Sequence, residues 1–265
     1  MADASSTWPR TVGLIGAGAM GRAFAAGLAR ADAPPEFVVT DAIPAAALEG
    51  AAELGGRMGD MADVAACDAV VLAVKPKDVS AALEALSRSG GEPVVISVAA
   101  GWDLGRLRGA LANAPLVRTM PNLAVRHGAG LVAVATDGLP GDRRDGLFSL
   151  LAPLGTVEEI DERLFDAATA LAGSGPGFVA LVAEAMEEGG VRAGLARPQA
   201  RAMTHAVIAG VASLLDGRED PAQLRQRVSS PAGTTVAGIA ALERGAVRAH
   251  VADAVVAAAD RAREL

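Results

Sequence analysis

A short apolar run, Thr11–Ile15, leads directly into Gly16-Ala17-Gly18-Ala19-Met20-Gly21, and an Ala-rich helical stretch from Ala19 to Arg30 follows. This strand–turn–helix order constrains the fold more than any other feature of the chain. In a G-x-G-x-x-G turn the first glycine permits a tight bend. The second lets backbone approach a pyrophosphate, and the third allows close helix–strand packing. The order predicts the first βαβ unit of a dinucleotide-binding sheet. It makes Gly16, Gly18, Ala19, Met20 and Gly21 candidate cofactor contacts.

The first half continues in the same style. Phe37–Thr40 reads as a second strand, and Ala69–Val74 is a continuous apolar run of the kind buried on both faces of a parallel sheet. Val94–Val98 and Leu116–Thr119 repeat it, with Leu131–Ala135 and Thr156–Ile160 as further strands. Helices are predicted at Pro44–Leu54, Val79–Arg88, Leu104–Ala112 and Asp142–Ala152. The alternation predicts an α/β, doubly wound Rossmann-type domain over residues 1–160. Beyond it, strand signals stop. Helical stretches are predicted at Glu162–Leu171, Pro176–Ala193, Pro198–Leu215, Pro221–Arg227, Thr235–Arg244 and Val247–Glu264, several opening on the proline favoured in a first turn. Residues 161–265 are therefore expected to form an all-α domain. At roughly 100 residues and rich in small apolar side chains, it is expected to share its core with a second copy, giving at least a homodimer.

Composition narrows the chemistry. Hydrophobic residues make up 51% of the 265, yet aromatics are only 3%. That does not suit a surface that stacks nucleic-acid bases, and a net charge of −7 offers no basic footprint for a polyanion. No nucleic-acid partner is expected. No membrane span is expected either, because no uninterrupted apolar run approaches about 18 residues, and Met1–Arg10 carries no signal-peptide pattern. The single cysteine, Cys67, forms neither an internal disulfide nor a multi-cysteine metal site and fits a cytoplasmic location. His127, His205 and His250 lack metal-ligand spacing, so no metal is expected. The chain has no Tyr, which excludes a Tyr-x-x-x-Lys proton donor. Lys occurs only at Lys75 and Lys77, which argues against dehydrogenases with a catalytic lysine in the second domain.

Position supplies further cofactor contacts. Asp41 ends the second strand about 20 positions beyond Gly21, where an acid accepts hydrogen bonds from ribose hydroxyls and repels a 2′-phosphate. On that reading NADH is favoured over NADPH. On the alternative reading Asp41 caps the helix near Pro44. Arg57 is an alternative phosphate partner. Val74-Lys75-Pro76, Ala99-Ala100-Gly101 and Pro121-Asn122 close three successive strands at their carboxyl ends, where ligands bind in such sheets. Each is also ordinary turn chemistry, but three in succession behind a nucleotide motif define a cleft.

Near the other end, Ser229-Ser230-Pro231-Ala232-Gly233-Thr234-Thr235 precedes an apolar helical stretch, Val236–Leu242. Such a turn aims several N–H groups and hydroxyls at one small anion, where a helix N-terminus favours negative charge. The plain alternative is an ordinary Ser/Thr helix cap.

Gly16–Gly21, Ala73-Val74-Lys75-Pro76, Ser97–Gly101, Arg118–Asn122, Gly173-Ser174-Gly175-Pro176 and Ser230–Thr235 stand in the order and spacing of the pyrroline-5-carboxylate reductase family. The chain resembles that family from about residue 11 to Leu265. The resemblance implies a Rossmann domain followed by a helical domain that interleaves with its twin. It also implies reduction of the cyclic imine Δ1-pyrroline-5-carboxylate to L-proline, the last step of proline biosynthesis, with NADH or NADPH. Carried onto this chain, it implies that Ser230 and the N–H groups around Gly233 and Thr234 bind the substrate carboxylate. Thr235 would hydrogen-bond the ring nitrogen as the catalytic residue. The chain departs from the family pattern at Ala19 (generally Asn), Leu123-Ala124 (Thr-Pro), Ala232 (the first of two glycines) and His205 (commonly Gln). These departures keep two alternatives open. One is a reductase of a related cyclic imino acid, a pyrroline-2-carboxylate or a six-membered homologue. The other is a cofactor-binding relative without catalysis.

Overall fold

The computed structural model describes residues 8–216 and 219–264. Eight strands form one sheet: β1 (Thr11–Ile15), β2 (Glu36–Thr40), β3 (Arg57–Met58), β4 (Ala69–Leu72), β5 (Val94–Ser97), β6 (Leu116–Pro121), β7 (Gly130–Asp137) and β8 (Gly155–Glu159). Their order is β3-β2-β1-β4-β5-β6-β7-β8. The first six run parallel, as predicted, so their carboxyl ends share one edge. The sheet then reverses: β7 pairs antiparallel with β6, and β8 pairs parallel with β7. The reversal has a simple cause. Only a short 3₁₀ turn, Leu123–His127, and a left-handed Gly128 (φ 69°) join β6 to β7, whereas a parallel return needs a crossover of a dozen or more residues. Such a crossover does link β7 to β8, through the helix Gly141–Leu151.

Among the described residues, seven α-helices accompany the sheet: α1 (Ala19–Leu28), α2 (Pro44–Leu54), α3 (Met61–Ala65), α4 (Val79–Arg88), α5 (Leu104–Ala110), α6 (Gly141–Leu151) and α7 (Phe165–Ala168). The pleat of β1 divides the core. Val12 and Leu14 join Phe24, Leu28, Leu147 and Leu151 on one face, and Ile15 joins Leu83, Leu107 and Phe165 on the other. β3 and α3 were not foreseen. α3 begins with a reciprocal cap, in which Asp63 N–H donates to Asp60 (2.9 Å) and Asp60 N–H to Asp63 (3.1 Å). Arg57 pairs with Asp63 at 3.0 Å and holds its carboxyl below the usual range.

The predicted helix Glu162–Leu171 is three pieces: a 3₁₀ turn (Glu162–Leu164), α7 and a π-helical turn (Thr169–Gly173). All three pack on the sheet. Arg118 of β6, 7% exposed, pairs with Glu162 at 3.0 Å and lies 4.4 Å over the fully buried Phe165 ring. Glu162 also accepts the Leu104 N–H at 2.7 Å. The chain accordingly divides by contacts after Gly173, later than the boundary expected at 160/161, and the segment from Ala258 belongs with the first unit.

The second unit, Ser174–Ala257, contains α8 (Gly175–Arg192), α9 (Arg197–Asp216), α10 (Pro221–Arg227), α11 (Thr234–Arg244) and most of α12 (Val247–Arg263). α8 packs on α9, with Gly190 against Ala200. Leu181, Val182, Met203, Val207, Leu242 and Val256 are exposed on these helices. One helical run, Glu162–Arg192, has the length and composition of a membrane span, although 17% of its most apolar window is buried in the protein. No span was expected from sequence, because charged and turn-forming residues such as Asp166 and Pro176 interrupt its apolar run.

Arg118→Ala removes a buried ion pair and a ring contact together. Breaking a buried pair costs about 3–5 kcal/mol, and the partial exposure of the Glu162 side chain (30%) reduces this to roughly 2–3 kcal/mol. Denaturant unfolding is expected to show that loss, with a smaller one for Glu162→Gln.

Candidate active site

The nucleotide end is built on close backbone contact. Gly16 holds φ +101°, and a Cβ there would come within 2.7 Å of Ala73 O and 2.9 Å of Val74 N. A Cβ at Gly21 would overlap Gly16 O, whereas the position above Gly18 is open space. Gly18 is the N-cap of α1, with no side-chain cap. Ala19 is exposed and Met20 half-buried beside it. These are the features a pyrophosphate cradle needs: N–H groups at an open helix start and no side chain in the way. The residues fit a dinucleotide.

Asp41 belongs to the same cluster. Its Oδ2 accepts the Ala17 N–H at 2.7 Å and its Oδ1 the Ile43 N–H at 2.8 Å. Ile43 is the N-cap of α2, so the capping reading describes one oxygen and a link to the glycine turn describes the other. A carboxylate has about four acceptor positions, which leaves two for ribose hydroxyls.

The other strand ends are coupled. Lys75 is exposed, and Pro76 opens a 3₁₀ turn, Pro76–Asp78. Val74 lies beside Gly16. After β5, Ser97 Oγ accepts the Ala99 N–H at 3.3 Å, Ala100 is half-buried, and Gly101 takes φ +74°. Thr119 Oγ1 donates to Ser97 O at 2.9 Å, holding β6 to this turn. Pro121 ends β6, and Asn122 Oδ1 accepts the Ala124 N–H at 3.1 Å. Asn122 is thus a turn cap whose amide N–H groups are left for a ligand. Sequence reasoning missed Trp102, Arg118 and Glu162 as braces of these turns. Only the Asp-x-x-Arg spacing of Asp103 and Arg106, a helix start, marks the region in sequence.

In the second unit the Ser229–Thr235 loop turns tightly. Gly233 N–H donates to Ser230 O at 3.0 Å, so this N–H is not free for a ligand, contrary to expectation. A Cβ at Gly233 would overlap Ser230 Oγ, which explains the glycine. Gly233 is the N-cap of α11, with no side-chain cap. The ordinary Ser/Thr cap is therefore not what this loop forms. Thr234 and Thr235 occupy the first turn, Thr235 half-buried, with the exposed Ser230 alongside. Ala232 holds φ +57°, a left-handed conformation that disfavours a side chain.

A nucleotide-type sheet with a glycine turn, followed by a helical unit in which α11 starts without a side-chain cap, defines the class of nicotinamide-dinucleotide oxidoreductases. Residues 11–101 match the family described as NADP oxidoreductase coenzyme F420-dependent, and residues 162–265 match pyrroline-5-carboxylate reductase dimerisation. The pyrroline-5-carboxylate reductase of Methanosarcina acetivorans is 36% identical over 263 residues, covering 96% of this chain and 97% of the relative. That of Thermus thermophilus is 38% identical over 257 residues, 95% and 97%. Among solved structures, the Coxiella burnetii pyrroline-5-carboxylate reductase superposes with a TM-score of 0.88 at 30% identity, covering 97% and 98%. The Plasmodium falciparum pyrroline carboxylate reductase, with NADP bound, gives 0.84 at 25% identity, covering 96% and 97%. The chain belongs to the pyrroline-5-carboxylate reductase family.

Ala232→Gly removes the left-handed strain, which costs about 1–2 kcal/mol, against the extra flexibility glycine gives the unfolded chain. A net gain of about 0.5–1 kcal/mol is expected, read as a Tm rise of about 1–3 °C.

Proposed function

We propose that this protein reduces Δ1-pyrroline-5-carboxylate to L-proline with a reduced nicotinamide dinucleotide, NADH in preference to NADPH, as a homodimer or a larger assembly of dimers. The observation that carries the reading is the α11 start: a helix opening on an uncapped glycine, with Ser230 and Thr235 beside it. The same chain also carries a dinucleotide cradle.

The reaction asks little of the protein. Bound NAD(P)H supplies a hydride to the imine carbon, and the product ring nitrogen carries a proton from water. The N–H groups of Thr234 and Thr235 and the Ser230 hydroxyl hold the substrate carboxylate. The Thr235 hydroxyl orients the ring nitrogen and passes on a proton, since it is too weak an acid to supply one alone. No stronger acid is needed, because a cyclic imine is basic enough to be partly protonated near neutral pH.

Asp41 supports the preference for NADH. Two arginines of the same half are already engaged in ion pairs: Arg22 with Glu49 (3.4 Å) and Glu53 (3.9 Å), and Arg57 with Asp63. The match to a dimerisation family and the exposed apolar side chains of α8, α9, α11 and α12 support a homodimer. A cytoplasmic setting is part of the reading, consistent with the free thiol of Cys67. A second reading, a related cyclic imino acid as substrate, is favoured by Ala232, whose methyl sits in the loop where the family generally has glycine.

Three measurements test this. Oxidation of NADH followed spectrophotometrically is expected with pyrroline-5-carboxylate; turnover only with pyrroline-2-carboxylate or a six-membered imine would move the assignment to the second reading. Asp41→Ser is expected to lower the NADH-to-NADPH ratio of kcat/KM at least about tenfold, and an unchanged ratio would remove Asp41 from cofactor choice. Thr235→Ala is expected to lower kcat by about 10- to 100-fold, with little change in NADH affinity.

A further inference from the structure

Two turns of the nucleotide crevice are joined by a side chain that belongs to neither turn motif. Trp102 directly follows Gly101, and its indole Nε1–H donates to Pro76 O at 3.0 Å. The bond therefore runs from the turn after β5 to the turn after β4. At its near end Gly101 is held at φ +74°, its carbonyl accepting from Arg106 Nη1 at 2.5 Å. At its far end Pro76 begins the 3₁₀ turn beside Lys75. The half-buried indole packs on the apolar layer that contains Leu83 and Leu107, and its outer edge lines a groove with Ser80, Glu84 and Arg106. Indole has one donor and no acceptor, so this contact satisfies it.

We propose that Trp102 is a positioning residue that fixes the spacing between the Lys75–Pro76 and Ala99–Gly101 turns and so sets the crevice width for the dinucleotide. The inference rests on the cofactor reading above. Without the brace the two turns sample wider spacings, and the dinucleotide must select the narrow one. The loss then falls on dinucleotide affinity and not on the chemical step. A neutral hydrogen bond of ordinary strength corresponds to about a two- to tenfold change in that population.

The test compares full-length wild type with Trp102→Phe, which keeps an aromatic ring and loses the N–H. NADH binding is followed by the cofactor's own fluorescence, alongside steady-state kinetics and Tm. A rise of about three- to tenfold in both Kd and KM for NADH is expected, with kcat at saturating NADH and KM for the imine within about twofold. Trp102→His, which keeps a ring N–H, is expected to recover part of the affinity. Equal NADH affinity in wild type and Trp102→Phe overturns the brace. So does a loss confined to kcat and Tm, the mark of a packing role. Should Trp102→Phe fail to fold, hydrogen exchange on wild type decides. Segments 75–78 and 99–102 gaining protection together on NADH addition supports the brace, and independent behaviour overturns it. Wild type that binds no reduced dinucleotide would overturn the cofactor reading, and the brace with it.

Discussion

Backbone meets backbone where β1 turns into α1, and the nucleotide end of the molecule is arranged around that contact. Gly16 sits against Ala73 and Val74 at the end of the neighbouring strand, and Gly21 sits on Gly16 O, at distances that leave no room for a side chain. The Ala17 N–H is held by Asp41 from the far side of β1. One short turn thus ties together the ends of β1, β2 and β4. Everything a ligand would meet at the sheet edge is positioned relative to it. The exposed Ala19 takes no part in these contacts, so the departure from asparagine there leaves the turn intact.

The helical unit obeys a different constraint. α8 spans 18 residues with no fully buried side chain, and Val179, Leu181, Val182 and Met186 are exposed in a single copy. Helices in water draw most of their stability from burying one face. In the proposed dimer a second copy covers these faces, so assembly is part of folding for this half of the chain. The same surface accounts for the membrane-like composition of Glu162–Arg192. Gly190 is already taken up within the copy, where it packs against Ala200 of α9.

The strands with continuous apolar runs and the helices opening on proline were legible, because burial on both faces and a preset φ leave direct marks in sequence. β3 is two residues long and exposed, too short for any periodicity. The reversal at β7 depends on loop length, which strand composition does not report. The break in Glu162–Leu171 comes from tertiary contact: Arg118 and Leu104 hold Glu162 while Phe165 is drawn into the core. At the candidate site, residue types drew attention to these loops but not to their internal hydrogen bonds. Gly233 N–H is used within its own turn, and Asn122 and Asp41 each act partly as caps.

The helix starts separate the two kinds of loop. α3, α5 and α10 open with aspartates that accept their first N–H groups. α1 and α11 open instead on Gly18 and Gly233, in nearly the same extended conformation (φ −70°, ψ −177° and φ −77°, ψ 169°) and without a side-chain cap. An aspartate cap at either place would fill the position of an incoming phosphate or carboxylate and repel it. A glycine leaves the N–H groups bare and the partial positive charge of the helix end unscreened. On the proposed function, one of these helix starts would receive the cofactor's anion and the other the substrate's. Neither needs a lysine, which suits a sequence whose only two lysines, Lys75 and Lys77, lie beyond β4.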